Sequence, residues 1–185
     1  MGKTFKMCCA GFGGQGVMSL GMLFTYAGMV DGKHVTWCPS YGPEMRGGTA
    51  NCVATVSDEE IGSPLAGSDV NVIAIMNNAS MTKFAPVLMP GGSLYVNSTL
   101  VKEGTDRTDI KIYEIPATDI ALEKLGNGKL ANIVMLGAMN EIEGIVSEEA
   151  LVEAFSKVFG KSKEKFIPIN KEAMRLGMEF AKTLK

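Results

Sequence analysis

Two glycine-rich loops contain the residues whose types and spacing could bind a ligand. The first loop spans Gly11 to Gly16 and has the sequence GFGGQG after a short apolar run. Such spacing permits a tight turn from a strand into a helix and lets backbone amides approach an anion at the helix N-terminus. The same glycines could instead serve only the turn and close helix packing. The candidate cofactor-binding or subunit-interface residues of this loop are Gly11, Gly13, Gly14, Gln15 and Gly16.

The second loop spans Ser40 to Gly48 and has the sequence SYGPEMRGG. Its glycines and proline fix an unusual backbone path while the side chains point outward. Arg46 could bind a carboxylate or phosphate through two parallel hydrogen bonds, with Glu44 orienting it or pairing with a neighbour. A solvated ion pair worth under about 1 kcal/mol is the alternative, but the interleaved apolar residues favour a surface covered by a partner. The candidate residues of this loop are Ser40, Tyr41, Gly42, Glu44, Arg46, Gly47 and Gly48.

The residues around the first loop do not complete a nucleotide-binding motif. A dinucleotide site needs an acidic residue at the end of the second strand, and that strand ends with Trp37 to Ser40. Asp31 precedes the strand, where it could not reach the ribose. A phosphate loop of the Walker type needs lysine and then serine or threonine after its last glycine, and Gly16 lacks that pair. A free-standing nucleotide-binding protein therefore stays only as an alternative.

Length and composition limit the remaining classes of protein. The 185 residues suit a single α/β domain over 1–185. The net charge of -2 favours neither nucleic acid nor an acidic disordered tail. The sequence has no apolar run near the roughly 18 residues needed to span a bilayer, and its first residues do not resemble a signal peptide. We therefore expect a cytoplasmic protein with no membrane partner.

The cysteines and the histidine offer little for metal binding or acid–base catalysis. The four cysteines lack the spacing typical of zinc or iron–sulfur sites, and neighbouring cysteines on a strand would point to opposite faces. They are interpreted as buried free thiols in a reducing cytosol. The lone histidine suits a polar position at the start of a strand. We predict no metal ligands and no catalytic residues in this chain; the residues concerned are Cys8, Cys9, Cys38, Cys52 and His34.

Strand and helix patterns alternate along the chain, which predicts a single doubly wound, mainly parallel sheet with helices on both faces, similar to a Rossmann fold. Helix 130–143 has little polar face, so it belongs to the core or to an interface. Strand 49–56 alternates, which predicts one solvated or partner-facing side. The predicted strands are 4–10, 33–38, 49–56, 70–76, 93–96 and 110–115, and the predicted helices are 14–30, 80–88, 118–125, 130–143, 148–159 and 171–183.

Three segments resemble the gamma subunit of 2-oxoacid:ferredoxin oxidoreductases. They are Gly11 to Val17, Pro39 to Cys52, and Leu130 to Ala138 with the sequence LANIVMLGA. The resemblance covers nearly the whole chain, and the two loops in this order are specific to the family. The ending Glu44 to Gly48 is more similar to the 2-oxoglutarate or branched-chain members than to the pyruvate enzymes.

The resemblance implies a subunit, inactive alone, of an enzyme that oxidatively decarboxylates a 2-oxoacid, 2-oxoglutarate in the first instance. The products would be an acyl-coenzyme A and electrons passed to ferredoxin. Thiamine diphosphate, coenzyme A and iron–sulfur clusters would serve the complex, and none would be bound by this chain alone. The implied partners are alpha, beta and delta subunits, with ferredoxin acting through the complex and a homodimer as a further expectation. Alternatives are a branched-chain 2-oxoacid or pyruvate enzyme, and a regulatory module of other oxidoreductases.

Overall fold

The computed structural model describes residues 2–41, 49–65 and 67–184. Within these ranges six strands form one sheet. The strands are β1 (Thr4–Phe12), β2 (His34–Tyr41), β3 (Thr49–Ser57), β4 (Val72–Ile75), β5 (Ser93–Asn97) and β6 (Lys111–Ile115). They lie in the order β2-β3-β1-β4-β5-β6. β1, β4, β5 and β6 are parallel neighbours, so the predicted mainly parallel sheet is confirmed.

β3 is the exception, because it pairs antiparallel with both β1 and β2. The chain passes from Tyr41 to Thr49 in too few residues for the crossover that a parallel pair would need. β2 and β3 therefore pair antiparallel as consecutive strands. Since β3 reverses direction and β2 reverses it again, β2 runs in the same direction as β1.

Helices cover both faces of the sheet, as predicted. The helices are α1 (Val17–Val30), α2 (Asn78–Phe84), α3 (Ala117–Leu125), α4 (Ala131–Glu143), α5 (Glu148–Phe159) and α6 (Ile167–Lys182). Short 3-10 segments span Ala85–Val87, Gly128–Leu130 and Lys161–Phe166. The larger core packs α1, α3, α4, α5 and α6 on one face. A smaller core packs α2 and its 3-10 extension on the other. In the part of the chain that the structure describes, no helix is long and apolar enough to cross a membrane.

Two sequence predictions need correction. The prediction that one side of β3 faces solvent or a partner is wrong for most of the strand, since residues 52–57 are all buried. One face of β3 packs under α1, and residues 60–63 line a cavity together with Thr55 on the other face. The last helix begins at Ile167 rather than at residue 171, because Pro168 lies in its first turn, where proline needs no amide partner.

α4 belongs to the core, which decides between the two alternatives for this helix. Residues 131–140 are all buried, and α4 packs extensively against α6. The helices approach so closely that a Cβ on Gly137 would overlap the carbonyl oxygen of Met174. A Cβ on Gly177 would likewise overlap the carbonyl oxygen of Val134. Only glycine permits this backbone-to-backbone contact.

Candidate functional site

The two predicted loops begin at the same edge of the sheet. Gly11 of β1 and Tyr41 of β2 both pair with Ala50, from opposite sides of β3. Neighbouring strands lie about 4.8 Å apart, so the loops leave the sheet roughly 10 Å from one another. Phe12 pairs with Thr49, where the chain returns from the second loop. This edge is also where β4 and β5 end, as is usual for ligand sites in α/β sheets.

The middle of the second loop lies outside the described residues. The predicted start of this loop at Ser40 is wrong, because β2 continues to pair with β3 as far as Tyr41, which pairs with Ala50. Ser40 is exposed at the shared edge. The roles of the remaining candidates therefore stay predictions; these are Gly42, Glu44, Arg46, Gly47 and Gly48.

The first loop turns sharply between β1 and α1. The amide of Gln15 donates to the carbonyl oxygen of Phe12 (3.1 Å), which closes a four-residue turn with Gly13 and Gly14 at its centre. Gly14 has φ 100°, as the third position of a type II turn requires. A Cβ on Gly14 would meet no atom within 4 Å. Gly14 is therefore needed for its backbone conformation and not for lack of space.

Gln15 folds back into the loop and holds it to β4. Its Oε1 accepts from the amide of Phe12 (2.7 Å) and from Asn77 Nδ2 (3.3 Å), while its Nε2 donates to the carbonyl oxygen of Met76 (2.9 Å). A Cβ on Gly11 would lie 2.7 Å from the same Oε1. Gln15 thus fixes the loop from inside, and Gly11 leaves room for its side chain.

Gly16 joins the loop to α1 and is fixed from the opposite side. It has φ 74° and precedes α1 without any side-chain cap in the described chain. Its carbonyl oxygen accepts from the amide of Leu20 (3.0 Å) and from Asn132 Nδ2 (3.1 Å). A Cβ on Gly16 would clash with the carboxamide of Asn132. The first amides of α1, beginning at Val17, have no partner within the helix and lie next to the loop.

Two grooves flank the loop. One, of about 610 Å³, combines amide groups with the exposed side chains of Phe12 and Leu100. The other, of about 190 Å³, is lined by Gly14 and Lys129 among others. The ionisable side chains that line them are Glu103, which accepts from Thr82, and Lys129. Hydrogen-bonding groups beside apolar surface suit binding of a ligand or partner.

The cysteines are free thiols divided between the two faces of the sheet. Cys9 and Cys52 are a buried cross-strand pair on the α1 side, and Cys52 Sγ donates to the carbonyl oxygen of Val17 (3.4 Å). The thiol hydrogen bond between them raises the pKa of Cys9 and lowers that of Cys52. Cys8 faces the other core, where burial raises its pKa to about 12. Cys38 shares that face but is only half-buried, unlike the predicted buried thiol. The sheet therefore separates the four thiols into two pairs.

Sequence reasoning missed Asn77 and Asn132, although each carried a signal. Asn77 precedes a helix, and its Oδ1 accepts from the amide of Ser80 (2.8 Å) as an N-cap. Asn132 is a polar residue in an otherwise apolar helical segment, which indicates a buried polar contact. Asp31 lies away from the site, as predicted, and accepts from the amide and the hydroxyl of Ser147 (both 2.6 Å).

Comparisons with known proteins agree with the fold and with the family that the sequence resembles. The family model for pyruvate ferredoxin/flavodoxin oxidoreductase matches residues 6–180. Ketoisovalerate oxidoreductase subunit VorA of Methanothermobacter marburgensis is 36% identical over 182 residues. The match covers 97% of this chain and 37% of VorA, so the chain spans little more than a third of that relative.

Two solved structures share the architecture. The gamma subunit of a keto/oxoacid ferredoxin oxidoreductase from Geobacter sulfurreducens is 29% identical with a TM-score of 0.82, covering 97% of this chain and 99% of that one. A 2-oxoglutarate:ferredoxin oxidoreductase from Magnetococcus marinus, with 2-oxoglutarate, coenzyme A and succinyl-CoA bound, is 26% identical with a TM-score of 0.87. That match covers 99% of this chain and 32% of the other. The chain therefore belongs to the pyruvate ferredoxin/flavodoxin oxidoreductase family.

Proposed function

We propose that this chain is the gamma subunit of a multisubunit 2-oxoacid:ferredoxin oxidoreductase. Such an enzyme oxidatively decarboxylates a 2-oxoacid, forms an acyl-coenzyme A and passes two electrons to ferredoxin. The observation that carries the proposal is that both motif loops leave the sheet at the same edge in a chain of this family. Similarity to the Geobacter gamma subunit over 97% of this chain and 99% of that one supports one gamma domain over 1–185.

The proposed substrate is 2-oxoglutarate, supported by the ending Glu44 to Gly48 and by the similarity to the Magnetococcus enzyme. The identity to VorA favours a branched-chain 2-oxoacid as the second candidate. Pyruvate is a third member of the same chemical class. All three substrates share the 2-oxoacid group. Assaying the purified complex with each of them identifies the preferred substrate as the one with the highest kcat/KM.

We infer that the chain contributes contacts to the complex rather than redox chemistry. Its cysteines do not fit one iron–sulfur cluster, because the sheet divides them. The residues of the shared edge fit part of coenzyme A better, since uncapped α1 amides and Lys129 could receive an anionic group. Coenzyme A supplies the thiol that accepts the acyl group. Thiamine diphosphate and the clusters are proposed for the alpha, beta and delta subunits, with ferredoxin docking on the complex.

The candidate residues are proposed as a surface for those subunits beside the coenzyme A site. The exposed side chains of Phe12 and Leu100 would become covered on assembly. The four free thiols support a reducing compartment, and we propose the cytoplasm. A homodimer of the free chain is proposed as well, with oligomeric state measured by sedimentation.

Reconstitution tests the proposal. The purified chain alone is expected to be colourless and inactive, and adding the other subunits should give 2-oxoacid-dependent reduction of ferredoxin that requires coenzyme A. A brown chain with stoichiometric iron and acid-labile sulfide, or turnover without other subunits, would overturn it. Thermal stabilisation of the free chain by a dinucleotide but not by coenzyme A would instead favour the free-standing nucleotide-binding protein.

A further inference from the structure

The first loop is held by side-chain amides from two distant parts of the chain. On one side the carboxamide of Gln15 bridges to Met76 and Asn77, where β4 ends. On the other side Asn132, at the start of α4, donates to the carbonyl oxygen of Gly16 (3.1 Å). Gly16 and Asn132 are 116 residues apart in sequence. The position of the loop is thus set by contacts outside it.

Asn132 holds the point at which the loop becomes a helix. Its side chain is buried, and its amide shares the Gly16 carbonyl with the first helical hydrogen bond of α1, donated by Leu20. Gly16 has no room for a side chain there, because a Cβ would meet the carboxamide. Loss of the contact would therefore free the end of the loop. Among the described residues, Asn132 is the only one outside α1 that donates to the Gly16 carbonyl, so that carbonyl would keep only its bond within the helix.

The contact is not needed to place α4 itself. Farther along the same helix Gly137 packs directly against the backbone of α6. Near its end Asn140 holds the following turn, donating to the carbonyl oxygen of Val146 (2.9 Å) and accepting from its amide (3.1 Å). Removing the Asn132 bond should disturb the loop before it disturbs the helix.

We propose that Asn132 is a positioning residue for the subunit interface at the shared edge. It orients the Gly11–Gly16 loop so that the exposed backbone of the loop fits the neighbouring subunit. The inference rests on the proposed function, since the neighbour is a subunit of the 2-oxoacid:ferredoxin oxidoreductase. Asn132 is not assigned a contact with substrate or with the reacting atoms.

A pair of matched substitutions on one helix tests this role. Asn132→Asp keeps the size of the side chain but replaces the donor to Gly16 with an acceptor, which repels the carbonyl. Asn140→Asp makes the same change at a carboxamide of similar burial, 7% against 6% exposed, away from the edge. Asn132→Ala is the third variant, because it removes the donor without adding charge. Melting temperature, affinity of the folded chain for the partner subunits, and turnover of the saturated complex are measured for each.

Both aspartate variants are expected to melt at lower temperature than the wild type. Only the Asn132 variants should bind the partner subunits more weakly, by about tenfold for Asn132→Asp and less for Asn132→Ala, as misplaced interacting groups lose affinity. Turnover at saturating subunit should stay within about twofold of wild type, the kinetic pattern of lost binding. Equal affinities for Asn132→Asp and Asn140→Asp would overturn the inference. Failure of the wild-type chain to reconstitute activity would instead overturn the proposed function.

Discussion

Two regions of this molecule depend on glycine for different reasons. At the α4–α6 crossing, Gly137 and Gly177 let two helix backbones touch, and a side chain on either would overlap a carbonyl oxygen. At the shared edge, Gly14 and Gly16 adopt positive φ, and the loop they form is held by carboxamides. A backbone contact in the core has no space to relax, whereas a loop tied by side chains can shift. The first region should therefore determine stability and the second should determine binding.

The core crossing is expected to give the largest effect. Gly137→Ala should lower the free energy of unfolding by about 3 kcal/mol or more, because rigid backbone on both sides prevents the overlap from relaxing. Chemical denaturation followed by circular dichroism measures the change. Gly62→Ala is the matched control, since a Cβ there meets nothing within 4 Å. A loss below about 1 kcal/mol for Gly137→Ala would mean that the two helices separate easily, which would contradict the claim that this crossing determines stability.

Gly16→Ala should be intermediate, at about 2 kcal/mol, since it combines a left-handed backbone with a clash against Asn132. The two causes can be separated in an Asn132→Ala background, where the carboxamide is removed and only a Cβ contact of 3.2 Å remains. There the same substitution should cost about 1 kcal/mol, close to the strain of the backbone alone. Equal costs in both backgrounds, from the same denaturation experiment, would show that the carboxamide does not restrict the loop.

Arg46→Ala should weaken binding while leaving the stability of the free chain unchanged, the opposite of the effect expected for the glycines of the core. A guanidinium on a glycine-flanked loop suits a carboxylate or phosphate on a partner or ligand, so subunit affinity or coenzyme A saturation of the complex should weaken about tenfold. The melting temperature of the free chain should barely change, and lysine should restore function poorly. Calorimetry of the free chain and titration of the complex provide the two measurements. A destabilised free chain with unchanged affinity would make the loop purely structural.

The ion pair of Lys6 with Asp69 lies away from the shared edge and is a polar contact with which the effects at that edge can be compared. The hydrogen bond from buried Lys6 lowers the pKa of Asp69 below its ordinary value of 3.8. Its stabilisation is therefore complete above about pH 4 and is lost as the pH falls through the lower pKa of the folded state. Asp69→Asn should cost under about 1 kcal/mol at pH 7, because the carboxylate is exposed and the carbonyl oxygens of Ser63 and Leu65 still accept from the buried Lys6 ammonium.

Acid titration of stability checks this smallest effect. The decline of unfolding free energy below pH 4 should be shallower for Asp69→Asn than for wild type. Asp106→Asn serves as control, since this aspartate lies on the separate loop after β5. A steeper decline in the Asp69 variant would contradict the assigned sign.

The sequence predicted the strands and the role of glycine in the first loop because these follow from local rules. Alternating strand and helix patterns indicated the order of the elements. The helix predicted over 148–159 is also confirmed, and it follows Ser147, whose hydroxyl accepts from the amide of Ala150 (3.2 Å) as an N-cap. Both correct assignments depend on residues close together in the chain. The strand predicted over 70–76 is confirmed as β4, and its continuous apolar sequence fits the burial of all four of its residues.

The contacts that build the candidate site could not be predicted in this way. The direction of β3 depends on the length of one connection, and the alternation of its residues concealed that both of its faces are covered. The bond from Asn132 to Gly16 joins residues 116 positions apart, which no local pattern reveals. The need for glycine at Gly137 and Gly177 can be predicted only when it is known which two helices cross there. Long-range packing therefore decides the geometry of the edge, while motifs only indicate its location.

The contact between Asp31 and Ser147 has a consequence for the shared edge. Asp31 follows the last residue of α1 and binds the start of α5 through two short hydrogen bonds. α1 is thus fixed at its far end by a carboxylate, just as its near end is fixed by Asn132. A helix restrained at both termini has less freedom to slide along its axis when a partner arrives. Little conformational entropy remains to be lost on association, so the amide protons of the first turn of α1 should exchange at similar rates before and after assembly wherever they stay solvent-exposed.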